Sequence, residues 1–387
     1  MGVLLLMKQT CSILSTYTAD VSGVCSALYE MGGMTVMHDA SGCNSTYNTH
    51  DEPRWYDMPS MVFLSALWET EAMLGDESRI INDIAKAALE LKPRFIAVAG
   101  TPIPMMMGTD FHGLAKDIEA KCGIPTFGFA TNGMHSYDHG AGMAMAAVAE
   151  RFCERKVCKR PLRAGEKPSV NLLGVTPLDF SVTGNVEALK KIFADNGYRV
   201  QSCWAMGSSW EELMSAGLAD VNIVCSSAGL PLAKVFQQLC GTPFVSGLPI
   251  GRKVTQELFA SAERAAAGGA ASEPEAMPLA AAEKTVCVVG ESVCSTSLAR
   301  ALALDFGVKN ARAVCPLEFP DEDAVFAELR NAAVVVADPL YKPALPKEGC
   351  RFISLPHEGY SGRIFRRDIP VYIGEGFNSW MTKEIQQ

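Results

Sequence analysis

Short apolar runs alternate with segments of helical period along almost the whole chain, the signature of βα units built around parallel sheets. In the first block Val21, Val24, Cys25 and Leu28 recur at i, i+3, i+4 and i+7. They predict a helix that stops at the Gly32-Gly33 pair. Strands are expected over 34–37, 61–64, 95–99 and 126–129, with helices near 79–91, 113–121 and 140–154. A basic stretch containing Pro161 reads as a linker. The second block opens at Val170 and predicts helices near 186–196 and 230–239 and strands at 198–203 and 221–225. A run rich in Ala, Gly, Glu and Pro over 265–282 carries little core pattern and closes it. The third opens at Thr285, with a helix near 297–305 and strands at 333–337 and 352–355. The expectation is an α/β protein of three stacked open parallel-sheet, Rossmann-like domains over 1–160, 161–270 and 271–387, with no fixed-period repeat visible.

Composition narrows the function. A 48% hydrophobic content supports full cores in a chain of 387 residues, and a net charge of -9 argues against a nucleic-acid partner, which needs a basic surface. No apolar run approaches the roughly 20 residues that span a bilayer, so no membrane partner is expected. The start, Met1 to Met7, is short and lacks a basic leader, which points to the cytoplasm. In that reducing compartment the 13 cysteines read as thiols or thiolate ligands rather than disulfides. The Gly-rich loops that bind ATP or NAD are missing from the sequence.

In open sheets ligands bind beyond the carboxyl ends of strands, so chemistry is sought there. Four positions qualify. Cys43 closes Met37-His38-Asp39-Ala40-Ser41-Gly42-Cys43 after the first strand, and Thr101-Pro102 follows the run 95–100. Cys225-Ser226-Ser227 ends the strand at Val221, and His357 follows Leu355-Pro356 and leads into Glu358-Gly359-Tyr360-Ser361. Thiol and imidazole donors suit an iron–sulfur or other transition-metal centre better than magnesium or calcium. Packing competes with each. Cys25 lies on the apolar face of its helix and Cys225 in an apolar strand, where a buried thiol is the ordinary reading. His135 and His139 are four apart, but Gly133 and Gly140 bracket a turn there rather than the helix a metal pair needs.

Taken in order, these motifs resemble the nitrogenase component 1 superfamily: nitrogenase α and β subunits, cofactor-assembly scaffolds, dark-operative protochlorophyllide reductase subunits and the nickel-tetrapyrrole reductase of methanogens. His38-Asp39-Ala40-Ser41-Gly42-Cys43 stands where that group has His-Gly-Pro-x-x-Cys, and Glu69 to Ile80 where it has a Glu-rich helix entry with Gly-Asp. Lys92-Pro93, Thr101-Pro102 and Gly108-Thr109-Asp110 follow in the family's order, and Tyr360-Ser361-Gly362 resembles the step after the α subunit's cofactor histidine. The chain departs from the pattern too. Of three family cysteines for a bridging cluster, only Cys43 has a clear counterpart; the third place holds Thr101, and the first falls between Cys11 and Cys25. The resemblance therefore implies a [4Fe–4S] cluster shared across a homodimer, or a heterodimer with a sister chain, held by Cys43 with Cys25 or Cys11. It implies single electrons from a separate ATP-dependent iron–sulfur reductase. A cleft with Cys225, Ser226, Thr101 and a catalytic His357 would take a substrate, a second metal or a tetrapyrrole. Genuine nitrogen fixation is not expected. A non-catalytic scaffold for a metal cofactor, or a metal-free partner subunit, stays open.

Overall fold

A computed structural model describes residues 13, 19–40, 44, 52–155, 162–163, 165–268, 285–319, 321–345 and 348–386. Cys11 and Cys43 lie outside the described residues. Three four-stranded sheets carry the fold, and all three share one topology. The first contains β1 (Met34–His38), β2 (Val62–Leu64), β3 (Ile96–Gly100) and β4 (Thr126–Phe129) in the order β2-β1-β3-β4. The second contains β5 (Ser169–Leu173), β6 (Arg199–Cys203), β7 (Val221–Val224) and β8 (Phe244–Ser246), ordered β6-β5-β7-β8. The third contains β9 (Thr285–Val289), β10 (Ala311–Val314), β11 (Ala332–Ala337) and β12 (Arg351–Ser354), ordered β10-β9-β11-β12. Every pairing is parallel. The three-domain α/β architecture expected from the pattern is thus present.

Helices connect the strands. The first domain has α1 (Asp20–Leu28), α2 (Glu69–Leu74), α3 (Ser78–Leu91), α4 (Pro102–Met107), α5 (Phe111–Cys122) and α6 (Tyr137–Phe152). The middle domain has α7 (Pro177–Phe180), α8 (Asn185–Asp195), α9 (Trp210–Met214), α10 (Leu230–Cys240) and α11 (Arg252–Ala266). The third has α12 (Ser292–Phe306), α13 (Glu322–Leu329), α14 (Glu358–Ser361) and α15 (Glu375–Gln386). Central strands β1, β3, β5 and β7 are buried along their whole length, as apolar runs covered by helices on both faces must be. Helix α3 shows how the pattern sets an element: Ile80, Ile84 and Ala88 bury one stripe, and Lys92 ends the helix in the left-handed region before Pro93. No helix among the described residues is long and apolar enough to cross a membrane.

Packing between domains is closer than the pattern suggested. Helix α6 begins at Tyr137, a turn earlier than expected, and Gly140 lies inside it rather than marking a break. The reason is contact with α1. A Cβ on Gly140 would lie 1.9 Å from the Asp20 carbonyl oxygen, and one on Gly23 would lie 1.8 Å from that of Tyr137. The two helices therefore cross backbone on backbone, which only glycine permits. One core joins Phe95 and Tyr137 to Trp204 and Phe236, across the first and middle domains. Another joins Phe193 and Leu258 to Leu298, Ile353 and Phe377, across the middle and third. Elements not predicted include strands β8 and β10 and helices α11, α13 and α15.

Candidate functional site

Each sheet reverses strand order between its first and third strands, the place where such sheets leave a crevice. On the first sheet β1 and β3 pair from Met34 with Ile96 up to His38 with Gly100. Just beyond, the Thr101 hydroxyl donates to the His38 carbonyl at 2.9 Å and contacts the Asp39 carboxylate at 3.1 Å. Asp39 also accepts the Asn44 amide at 2.7 Å. The His38 Nδ1 contacts the Ser65 hydroxyl at 2.8 Å, and that hydroxyl also accepts the Asp39 N–H at 3.1 Å. Its Nε2 has no hydrogen-bond partner among the described residues, and the ring is 1% exposed. Burial, partly offset by Asp39, pulls the His38 pKa down to about 4, so the imidazole stays neutral at pH 7. Thr101, a candidate from the sequence, therefore fastens the root of the segment that in the sequence runs on to Cys43. Sequence reasoning used His38 only as part of a motif, and a His at the last position of a wholly buried strand was the signal available.

The middle sheet repeats this fastening. Ser226, just past β7, donates from its hydroxyl to the Gly174 carbonyl, just past β5, at 2.6 Å. Here the edge is shut by backbone: Gly174 has φ of 79°, and a Cβ on it would lie 2.5 Å from the Gly229 nitrogen. The Cys225 side chain turns away from this edge into the core, with its sulfur 3.6 Å from the Ile223 carbonyl oxygen. Complete burial raises its thiol pKa well above the ordinary value, with Cys203 adding to the rise. Cys25 likewise packs fully buried on α1 among Val21, Val24 and Leu28, and burial followed by Glu52 raises its thiol too.

His357 sits where the three domains meet. Its Nδ1 accepts the Gly359 N–H at 3.1 Å, so the ring proton belongs on Nε2, which faces Asp179 Oδ1 at 3.6 Å. Asp179, at the middle domain's α7, accepts the Tyr137 hydroxyl at 2.6 Å and the Thr176 hydroxyl at 2.8 Å. A second line of bonds runs beside it. The Ser227 hydroxyl donates to Asp138 at 2.9 Å, and the Ser227 N–H donates to Glu291 at 2.7 Å. Glu291 caps α12 by accepting the N–H groups of Val293 and Cys294. Burial, then the charge of Asp179, pushes the Glu291 pKa up to about 7. Asp338 accepts the His357 N–H at 2.8 Å and the Ser361 hydroxyl at 2.7 Å, while Glu358 pairs with Arg366 at 2.5 Å. No hydrogen bond or ring contact joins Cys225 to His357 among the described residues; each has other neighbours.

The remaining sequence candidates are placed as follows. His135 and His139 do stack, with centroids 4.6 Å apart, and His135 lies 3.4 Å from Asp20. The start of α6 brings them together, which the glycines had argued against. Among the described residues no three His, Cys, Asp or Glu side chains gather as a metal site. The donors expected to hold a cluster include Cys43 and Cys11, which lie outside them.

Relatives bear on this geometry. A light-independent protochlorophyllide reductase subunit from Nostoc punctiforme is 25% identical over 182 residues, 46% of this chain and 36% of that protein. The nitrogenase iron-molybdenum cofactor biosynthesis protein NifE of Clostridium pasteurianum is 25% identical over 189 residues, 47% of this chain and 38% of that protein. These matches span less than two fifths of either relative's own length. A solved structure titled nitrogenase Cp1 at pH 6.5 superposes with a TM-score of 0.62 at 16% identity, covering 98% of this chain and 95% of that one. That likeness establishes the fold, and three sheets of one shared strand order fit it. The family model for nitrogenase component 1 type oxidoreductases matches residues 21–342, and the chain belongs to that family.

Proposed function

We propose that the chain is a subunit of a nitrogenase-like oxidoreductase that does not fix nitrogen. In this reading it is cytoplasmic and pairs with a second copy or a sister chain. It holds a [4Fe–4S] cluster at that interface and receives low-potential electrons from a separate ATP-dependent iron–sulfur reductase. The observation that carries it is the carboxyl edge of the first sheet. There Thr101, Asp39 and Ser65 clamp the end of β1, a few residues before Cys43 in a family-ordered motif. Cys43 would hold the cluster. Cys11 is the better second thiolate, because Cys25 packs as a core thiol on α1. When bound, the cluster supplies one-electron chemistry, and the chain supplies position and exclusion of water. The clamp fixes the root of the cysteine segment, and the neutral His38 adds no charge beside it.

The match to a cofactor biosynthesis protein favours a second reading, a scaffold that holds a metal cofactor precursor without turnover. Iron and acid-labile sulfide, measured per chain on protein purified without oxygen, test the cluster in both readings. About two iron per chain, lost in Cys43→Ala, is the expected result for a four-iron cluster shared by two chains. Iron absent from the wild type would leave a metal-free partner subunit. With iron present, turnover with a reductase and ATP separates enzyme from scaffold.

A further inference from the structure

The three-domain junction was expected to be a cleft for a substrate or second cofactor, and its side chains argue otherwise. Tyr137, Tyr360, Asp338, Glu291 and Glu358 are each 2% exposed or less, Asp179 is 8% exposed, and Asp138, Ser227 and His357 are partly buried, the His357 side chain being 12% exposed. Side chains lining a space large enough for a cofactor would show surface towards it; most of these show almost none. The Nδ1 lone pair of His357 is taken by the Gly359 N–H, which leaves the proton on Nε2; that atom lies 3.6 Å from Asp179 Oδ1 and has no hydrogen-bond partner among the described residues. The sulfur of Cys225 faces the core of the middle domain. Charge points the same way. Asp138, Asp179, Glu291, Asp338 and Glu358 converge here, and Arg366 pairs with Glu358. An anionic metal–sulfur group or a propionate-bearing tetrapyrrole would meet like charge in a dry environment.

What the junction does have is connection. One line of contacts runs from Tyr137 of the first domain through Asp179 of the middle domain to His357 of the third. Another runs from Asp138 through Ser227 to Glu291, visiting the same three domains in the same order. The Ser181 hydroxyl adds a bond to Glu358 at 3.0 Å. We infer that this junction is a closed polar keystone that fixes the three domains relative to one another and admits neither a second cofactor nor a substrate. His357 is then a structural anchor, and redox chemistry belongs to the outer edge of the first sheet. The inference stands apart from the cluster reading, because it concerns no cysteine that would hold iron.

Hydrogen–deuterium exchange on the wild-type protein tests it directly. Peptides spanning 176–181 and 357–361 should exchange only with global unfolding, and fast local exchange there would overturn the keystone. Two variants give a second arm. Tyr360→Phe removes a buried hydroxyl that has no hydrogen-bond partner among the described residues, so the melting temperature should hold or rise. His357→Gln should lower it by about 3 °C, and both should keep the wild-type iron, sulfide and visible absorption. Loss of metal or chromophore from folded Tyr360→Phe or His357→Gln, with Cys43 intact, would show a ligand in the junction and sink the proposal. Loss from Cys43→Ala alone concerns only the cluster.

Discussion

Two histidines lie at or just past strand ends in this molecule, and their rings have different surroundings. His38 is the last residue of β1; its Nδ1 contacts the Ser65 hydroxyl, and its Nε2 faces no partner among the described residues. His357 lies beyond β12, where a backbone N–H occupies Nδ1 and the carboxylate of Asp179 stands 3.6 Å from Nε2, too far for a hydrogen bond. Neither Nε2 has a hydrogen-bond partner among the described residues; the rings differ at Nδ1, which meets a hydroxyl in His38 and a backbone N–H in His357, and in the carboxylate 3.6 Å from the His357 Nε2. Sequence alone made His357 the chemical candidate and left His38 as a motif letter. The contrast teaches that a strand-end position marks where a ligand could bind, while the partners of each ring nitrogen decide whether one can.

Breaking the Asp179 side should cost most. Asp179→Ala strands the Tyr137 and Thr176 hydroxyls in a buried site where domains meet, and should lower unfolding stability by about 4 kcal/mol, read from the denaturant midpoint. At the other histidine, Thr101→Val removes one hydroxyl from the clamp and should cost about 2 kcal/mol in the same measurement. A smaller effect for Asp179→Ala than for Thr101→Val would reverse the ranking of the two regions.

Acidity sharpens the contrast, because the two regions respond with opposite sign. The pKa of His38 drops from 6.5 to about 4 on folding, so the unfolded chain binds more protons between those values. Its contribution is whole above pH 6.5 and is lost as pH falls through about 4. Glu291 rises from 4.5 to about 7, so the folded chain binds more protons, and its contribution is whole below pH 4.5 and lost as pH rises through about 7. Urea midpoints followed across pH should lose their acid limb in His38→Asn and their neutral limb in Glu291→Gln. Each slope should stay below about 1.4 kcal/mol per pH unit. Unchanged limbs in either variant would mean that other groups set the pH response.

The sheets were legible because central parallel strands are long apolar runs, and the helix over 79–91 because its stripe keeps strict period. Strand β8 has three residues and β10 places Arg312 mid-strand, so neither stands out from a loop. The shared strand order of the three sheets left no repeat in the sequence, since topology constrains pattern and not identity. Tyr137, Asp179 and Glu291 were missed for a different reason. Their grouping is made by packing between domains: Ser181 and Glu358, in the same cluster, are 177 positions apart. No local spacing can announce such a set.

The route of the chain after His357 has a consequence for synthesis. Asn185 of the middle domain donates to the Pro370 carbonyl and accepts the Tyr372 N–H, and Gly374 donates to the Pro249 carbonyl at 2.7 Å. Phe377 and Met381 then bury themselves in the core that holds Phe193 and Val254. On the ribosome, the middle domain's strands emerge long before these residues do. Its core must therefore wait, with apolar surface uncovered, while the whole third sheet is made, and it closes only when Met381 has been released.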